Sequence, residues 1–283
     1  MRFGAHAFVW APDWSDEQAR RAASGAAEAG LDFLEIPLLD PAHFDLQGTK
    51  RLLREFGLGA TCSLGLPVQA SLPERPREAA AFLGEALRAA AELGSPVLTG
   101  VIYGTLGGAE GHPPRQDELA VVAETLSGAA EQAASLGLRI GIEPVNRYET
   151  YLVNTARQGL ELIRAIGRGS VFLHLDTYHM NIEEAGFATP IREAGSDLGY
   201  IHLSESNRGI PGEGNVRWEE VFSALAQVSY RGDLVMESFV APSPQLARAT
   251  CIWRPVTERP GDVVARGLPF LREQARRAGL PVS

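Results

Sequence analysis

The stretch RIGIEPVNRYETYLVNTARQGLELIRAIGRGSVFLHLDT, residues 139–177, carries a short apolar run, a helix pattern and a second apolar run in succession. Arg139 to Val145 and Val171 to Thr177 are continuous runs rather than clean alternations of apolar and polar residues. Continuous runs suit strands covered on both faces, as in a parallel sheet. Between them, Thr155 to Ile166 is rich in Ala, Leu, Glu and Arg and reads as a helix. Strand, helix, strand is the repeating unit of a parallel sheet with helices outside it.

Outward from this stretch the unit recurs. Upstream, predicted strands over Phe3 to Val9, Leu31 to Leu38, Gly59 to Leu66 and Val97 to Tyr103 alternate with helices over Asp16 to Ala29, Thr49 to Phe56, Glu74 to Leu93 and Gln116 to Leu136. Downstream come strands over Tyr200 to Ser204 and Asp233 to Phe239. Their helices are a short one after Thr189, one over Trp218 to Val228 and a last one over Asp262 to Ala278. Gly30, Gly57, Gly94 and Gly137 stand where helices should stop, since glycine tolerates the left-handed conformation of a C-terminal cap. Ser15 and Asp16 are N-cap candidates for the first helix. Eight β-then-α units in 283 residues predict an α/β fold, a single (β/α)₈ TIM barrel forming one domain over 1–283. The competitor is an open doubly wound sheet. It usually needs fewer strands, and no GxGxxG follows the first strand here.

Composition narrows the function classes. A hydrophobic share of 45% and a charged share of 22% are ordinary for a soluble globular protein. There is no run of 18 apolar residues, so no membrane partner is expected. The N-terminus reads directly as a strand and lacks the layout of a secretory signal, which predicts a cytoplasmic protein. Cys62 and Cys251 are too far apart for a spaced metal pair or a disulfide scaffold. A net charge of -9 repels phosphate backbones, so nucleic acid is not an expected partner. The arginines of 272–277, with Glu273 among them, read as a solvated helix face. No GxSxG elbow and no GxxxxGK[ST] loop occurs.

The chemistry-bearing residues gather at the ends of the last four predicted strands: Glu143, Asp176, His202 and Glu237. A lone carboxylate at the end of an apolar strand carries a heavy desolvation cost. Three carboxylates and an imidazole at one level of a barrel call for a cation between them. This donor set suits Mn²⁺, Mg²⁺ or Co²⁺, with zinc less favoured. Taken singly, Asp176 could cap the following turn, His202 could be a core histidine, and Glu143 or Glu237 could pair with an arginine. Recurrence at four successive strand ends favours the metal. Arg147, Glu149, His179 and Arg208 follow on loops, where an arginine and a histidine can hold sugar hydroxyls and stabilise an enediolate. His6 and Trp10 near the first strand's end, with Trp14 beyond, could line the pocket or merely cover the barrel mouth. Glu35 closes the second strand and could stand behind a ligand. His174 shares the side of Asp176 on its strand and could be a further ligand or interior packing.

Several motifs together resemble a known family. They are EPVNRYE at 143–149, LDTYHMNIEE at 175–184, HLSESNR at 202–208, PGEG at 211–214, VMESF at 235–239 and the Trp253-Arg254 segment. They are similar to the ketose 3-epimerases, the D-tagatose/D-allulose (psicose) 3-epimerase group of the xylose isomerase-like barrels. The likeness runs from the first strand to the last helix, and the stretch from Asp176 to Glu184 is its most specific part. The resemblance implies C3 epimerisation of a free ketose of the D-tagatose, D-fructose/D-allulose or L-ribulose type, through a cis-enediolate. It implies that Glu143, Asp176, His202 and Glu237 hold one divalent metal per subunit, Mn²⁺ first, with Co²⁺ or Mg²⁺ as alternatives. It implies that Glu143 and Glu237 are also the acid/base pair, that Glu149, His179 and Arg208 hold the O1 to O3 end of the sugar, and that the chain forms a homodimer or homotetramer. His6 stands where an aromatic residue is common and is expected to touch substrate, with Ser63 and Pro67 at the third-strand end. The alternatives are an aldose–ketose or hydroxypyruvate isomerase on the same metal site, a metal-dependent endonuclease, and a non-catalytic sugar-binding barrel. The endonuclease reading wants more histidine ligands and a basic surface.

Overall fold

Eight parallel strands close into a barrel in sequential order in the computed structural model, which describes residues 1–107, 111–240, 242–259 and 261–282. The strands are β1 (Phe3–His6), β2 (Phe33–Pro37), β3 (Gly59–Leu66), β4 (Val97–Thr105), β5 (Arg139–Ile142), β6 (Val171–Asp176), β7 (Leu198–Leu203) and β8 (Asp233–Met236). Phe3 lies opposite Leu234 and Ala5 opposite Met236, so β8 returns to β1 and no sheet edge remains. The α-helices of the described residues are α1 (Asp16–Glu28), α2 (Leu46–Phe56), α3 (Pro76–Leu93), α4 (Gln116–Ser135), α5 (Ala156–Ile166), α6 (Thr177–Glu183), α7 (Ala188–Ala194), α8 (Trp218–Gln227), α9 (Pro244–Thr250) and α10 (Leu268–Arg277). None is long and apolar enough to cross a membrane.

Helix limits follow local chemistry. Thr155 and Gln158 form a capping box at the start of α5, and Pro76 sits in the first turn of α3, where its missing N–H costs nothing. Gly30, Gly57, Gly94 and Gly137 all have positive φ, as expected of residues that end helices. Ser15 occupies the N-cap of α1 without a capping bond, and Asp16 falls in the first turn. The Ser15 hydroxyl donates instead to Asp13, at 2.6 Å.

Side chains two apart on a strand share a face. Phe33, Val97, Phe172, Tyr200 and Val235 form a cluster separate from the main core. Phe172 needs the glycine beside it: a Cβ at Gly199 would come within 2.6 Å of its ring. Two residues further along, Glu35, His174, His202 and Glu237 follow Phe33, Phe172, Tyr200 and Val235. The strands thus change from apolar packing to polar groups as they approach the barrel mouth.

Several boundaries differ from expectation: β5 and β8 stop at Ile142 and Met236, three residues short of their predicted ends, and α2 starts three residues early at Leu46. β1 stops at His6, and Ala7 to Val9 form a 3₁₀ turn of buried residues instead of extending the strand. A helix, α6, starts directly on β6 at Thr177, before the expected one near Thr189. α9 was not expected at all. The last helix begins at 261–262 as expected, but it is wound as a π-helix over Val263–Gly267 before α10. Pro269 has no N–H to give a carbonyl four residues back, which suits a widened turn there.

Candidate active site

Asp176 ends β6 and lies beside His202 of β7 in register, while Glu143 and Glu237 stand one residue beyond β5 and β8. Their ligand-capable atoms lie within 4.8 Å of one another, and all four residues are buried. His202 Nδ1 is 3.3 Å from Glu143 Oε1 and 3.5 Å from Glu237 Oε2, yet it has no well-formed hydrogen bond. Buried polar atoms are normally satisfied. An orphaned nitrogen facing carboxylates fits a divalent ion. Asp176 also caps α6, accepting the Tyr178 N–H at 2.8 Å. The cap uses Oδ1, while Oδ2 accepts from Arg208.

The electrostatics show a cluster short of positive charge. Burial pushes Glu143 up, and it pushes Asp176 well above the usual carboxylate range even though Arg208 opposes it. Burial also works to raise Glu237, but Arg208 and His202 outweigh it and hold that carboxyl well below its ordinary value. Burial disfavours a charged His202, yet Glu35 and Glu237 dominate and hold the ring well above its ordinary value. A cation among these groups changes each of those balances.

Arg208 reaches into the cluster from the loop after β7. Its Nη1 donates to Asp176 Oδ2 at 2.7 Å, to Ser204 Oγ at 2.9 Å and to Glu237 Oε2. The guanidinium carbon lies 3.9 Å from the centre of the Tyr178 ring and 4.9 Å from that of Phe239. Such contacts hold a cation without using its hydrogens. The backbone of Arg208 has φ 60°, an uncommon conformation for a residue with a Cβ and one that concentrates at functional sites.

Asn146 organises the other wall, and sequence reasoning passed it over. Its N–H donates to His179 Nδ1 at 3.0 Å, and its side-chain amide donates to Glu149 Oε1 at 2.8 Å. An uncharged amide gave no signal beyond lying between Glu143 and Glu149. Burial, opposed by Arg208, raises Glu149 to about 7. Burial also holds His179 well below its ordinary value, so its ring is neutral. With Nδ1 accepting, its hydrogen sits on Nε2, 3.2 Å from Arg208 Nη2. Two N–H groups therefore lie side by side in the cleft. Tyr103 was missed too: its hydroxyl bonds the carbonyls of Glu143 (2.9 Å) and Val153 (3.0 Å), pinning the end of β5.

The cleft above the cluster is lined by His6, Phe8, Glu149, His179, Arg208 and Phe239, among others. His6 Nδ1 accepts the Phe8 N–H at 3.1 Å, and its Nε2 lies 3.3 Å from Ser63 Oγ. Ser63 lines the cleft; Pro67 does not. His174 Nδ1 lies 2.9 Å from Thr99 Oγ1 and 3.7 Å from Glu143 Oε2, in a second group that shares Glu143 and His202 with the first. Three candidate neighbours lie elsewhere. Arg147 is exposed and paired with Glu183 at 2.9 Å. Trp10 packs on α1, where a Cβ at Gly25 would meet its ring at 2.3 Å. Trp14 donates to Thr49 at 3.0 Å.

A further buried carboxylate, Glu205, builds the loop that carries Arg208. It accepts the N–H groups of Ser206 (2.7 Å), Gly212 (2.9 Å) and Val216 (3.1 Å) and the indole N–H of Trp218 (3.0 Å). Glu205→Ala leaves buried donors unpaired and is expected to cost about 3 kcal/mol. Urea unfolding measures this, and a loss near zero contradicts it.

The model of the xylose isomerase-like TIM barrel family matches residues 24–274. L-ribulose 3-epimerase of Methylomonas sp. (strain DH-1) is 42% identical over 280 residues, which are 97% of this chain and 98% of that protein. Ketose 3-epimerase of Arthrobacter globiformis is 36% identical over 280 residues, 97% of this chain and 96% of its own. The crystal structure of D-allulose 3-epimerase from Methylomonas sp. in complex with D-allulose superposes with a TM-score of 0.93 at 40% identity, covering 97% of both chains.

Proposed function

Because the chain belongs to the xylose isomerase-like TIM barrel family, and within it to the ketose 3-epimerases, we propose that it inverts C3 of a free ketose on one divalent metal held by Glu143, Asp176, His202 and Glu237. The observation that carries this reading is the orphaned His202 Nδ1 among carboxylates whose ligand atoms lie within 4.8 Å, at the floor of a cleft. The oxygen-rich donor set favours Mn²⁺, with Co²⁺ or Mg²⁺ as alternatives.

Bound there, an ion would supply a Lewis acid to stabilise the negative charge that develops as C3 gives up its proton. Glu143 and Glu237 serve as the acid/base pair. One takes the C3 proton, leaving a cis-enediolate, and the other returns a proton to the opposite face. Two like groups can exchange these roles, which suits a reversible reaction. His179 Nε2–H and Arg208 converge on a sugar oxygen at the O1 to O3 end, and Glu149 accepts a hydroxyl there. His6 and Ser63 face the remainder of the ketose, where D-tagatose, D-fructose, D-allulose and L-ribulose differ. We place the protein in the cytoplasm as a homodimer or homotetramer. Two unpaired cysteines, Cys62 and Cys251, suit a reducing compartment.

The test is product analysis in D₂O with Mn²⁺ and a panel of D-fructose, D-tagatose, D-allulose, L-ribulose and D-erythrulose. The expected product is the 3-epimer of at least one of the sugars, with deuterium at C3. An aldose product with deuterium at C1 or C2 replaces this reading with an aldose–ketose isomerase.

A further inference from the structure

Glu35, on β2, is fully buried, and the proposed reaction makes no use of it. Its Oε2 lies 2.7 Å from His202 Nε2 and accepts the Tyr200 hydroxyl at 2.8 Å. Thr61 Oγ1 lies 2.8 Å from that hydroxyl, which completes a buried chain. The other oxygen, Oε1, has no hydrogen bond and lies 3.8 Å from His6 Nε2. A buried carboxylate left half satisfied is a poor device for stability, because its desolvation is not fully compensated.

The contact with His202 decides which ring nitrogen is free. Glu35 Oε2 already accepts the Tyr200 hydroxyl at 2.8 Å, so towards the ring it acts as an acceptor as well. The nitrogen at 2.7 Å must therefore carry hydrogen, since a lone pair there would face an oxygen that is accepting. The opposite nitrogen, Nδ1, is the one aimed at Glu143 and Glu237.

We infer that Glu35 is a positioning residue for the metal: by holding Nε2–H it fixes the ring plane and tautomer of His202, so that Nδ1 is the nitrogen presented to the ion. The inference rests on the metal site proposed above. Partners of this kind behind a ligating histidine typically change metal affinity by about 10- to 100-fold. Glu35→Gln keeps the shape and one neutral acceptor, so a loss of about tenfold is expected; Glu35→Leu removes the acceptor, so about 100-fold is expected.

The experiment is Mn²⁺ titration of the purified full chain and its variants, with free Mn²⁺ read by electron paramagnetic resonance. The Co²⁺ absorption spectrum and the melting temperature of the metal-free protein are recorded alongside. Expected are weaker Mn²⁺ binding in both variants, an altered Co²⁺ spectrum and a metal-free melting temperature close to wild type in Glu35→Gln. Tyr200→Phe removes the other hydrogen bond to the same oxygen and should leave Mn²⁺ affinity close to wild type. Unchanged Mn²⁺ affinity in Glu35→Gln and Glu35→Leu overturns the inference, and Glu35→Gln alone decides it if Glu35→Leu does not fold. An equal loss in Tyr200→Phe also overturns it, because general packing then explains the effect. A wild-type protein that binds neither ion overturns the proposed metal site and this inference together. Wild-type binding with unaffected variants overturns only the role of Glu35.

Discussion

Glu237→Gln is expected to lower turnover by at least about 10³-fold while the barrel stays folded. General acid–base groups alone contribute about 10²- to 10⁴-fold, and the same substitution weakens a metal ligand. The fold should survive because Glu237 lies just past β8, where glutamine preserves shape and the backbone N–H to Leu203 (3.4 Å) is untouched. Glu143→Gln is expected to behave similarly. On the proposed mechanism the two differ in one useful respect: each glutamate would serve one face of C3. Starting from one epimer, the variant lacking the first base loses C3–H exchange into D₂O. The variant lacking the returning acid can keep exchange without net epimerisation. Circular dichroism, metal content and exchange by NMR, measured together at saturating Mn²⁺, separate loss of chemistry from loss of metal. Normal activity in the Glu143→Gln, Glu237→Gln double variant would falsify the acid/base assignment.

The four residues of the cluster were legible because the signal for each is local. An apolar strand that stops on a carboxylate or histidine can be read without knowing its neighbours, and strand order then brings the ends together. The residues that escaped notice act through contacts that no local pattern encodes. Glu205 gathers donors from 206, 212, 216 and 218, an irregular loop without a period. Asn146 works by orienting two other side chains. Arg147 misled for the converse reason: it is one residue from Asn146 in the chain, but the loop turns it outward to Glu183. The helix α6 was hidden because Asp176 both ends a strand and caps the next turn. Strand-like residues such as Thr177 and Tyr178 begin that helix.

Chelation of the metal should abolish activity, and added Mn²⁺ should restore it and stabilise the protein. An ion that binds only the folded chain adds about 2.7 kcal/mol at 100 times its dissociation constant. In a chain of this size that is on the order of 5 °C in melting temperature. Asp176→Asn should remove most of this shift. It deletes one ligand charge and keeps an oxygen that can still accept the Tyr178 N–H, so the loss is read as metal binding rather than capping. The pH dependence has a definite sign. Burial raises Glu143 and Asp176, and the surrounding carboxylates raise His202. In the metal-free protein these groups therefore hold protons to higher pH than they do in water. The ion binds their deprotonated forms and must displace those protons, so affinity falls as pH falls, by about tenfold per pH unit for each proton displaced. Glu237, held low by Arg208 and His202 against burial, is already ionised and adds nothing to that slope. Calorimetric titration with Mn²⁺ in buffers of different ionisation enthalpy counts the protons released. Full activity after exhaustive chelation, or Mn²⁺ binding without proton release near neutral pH, removes the metal from these four residues.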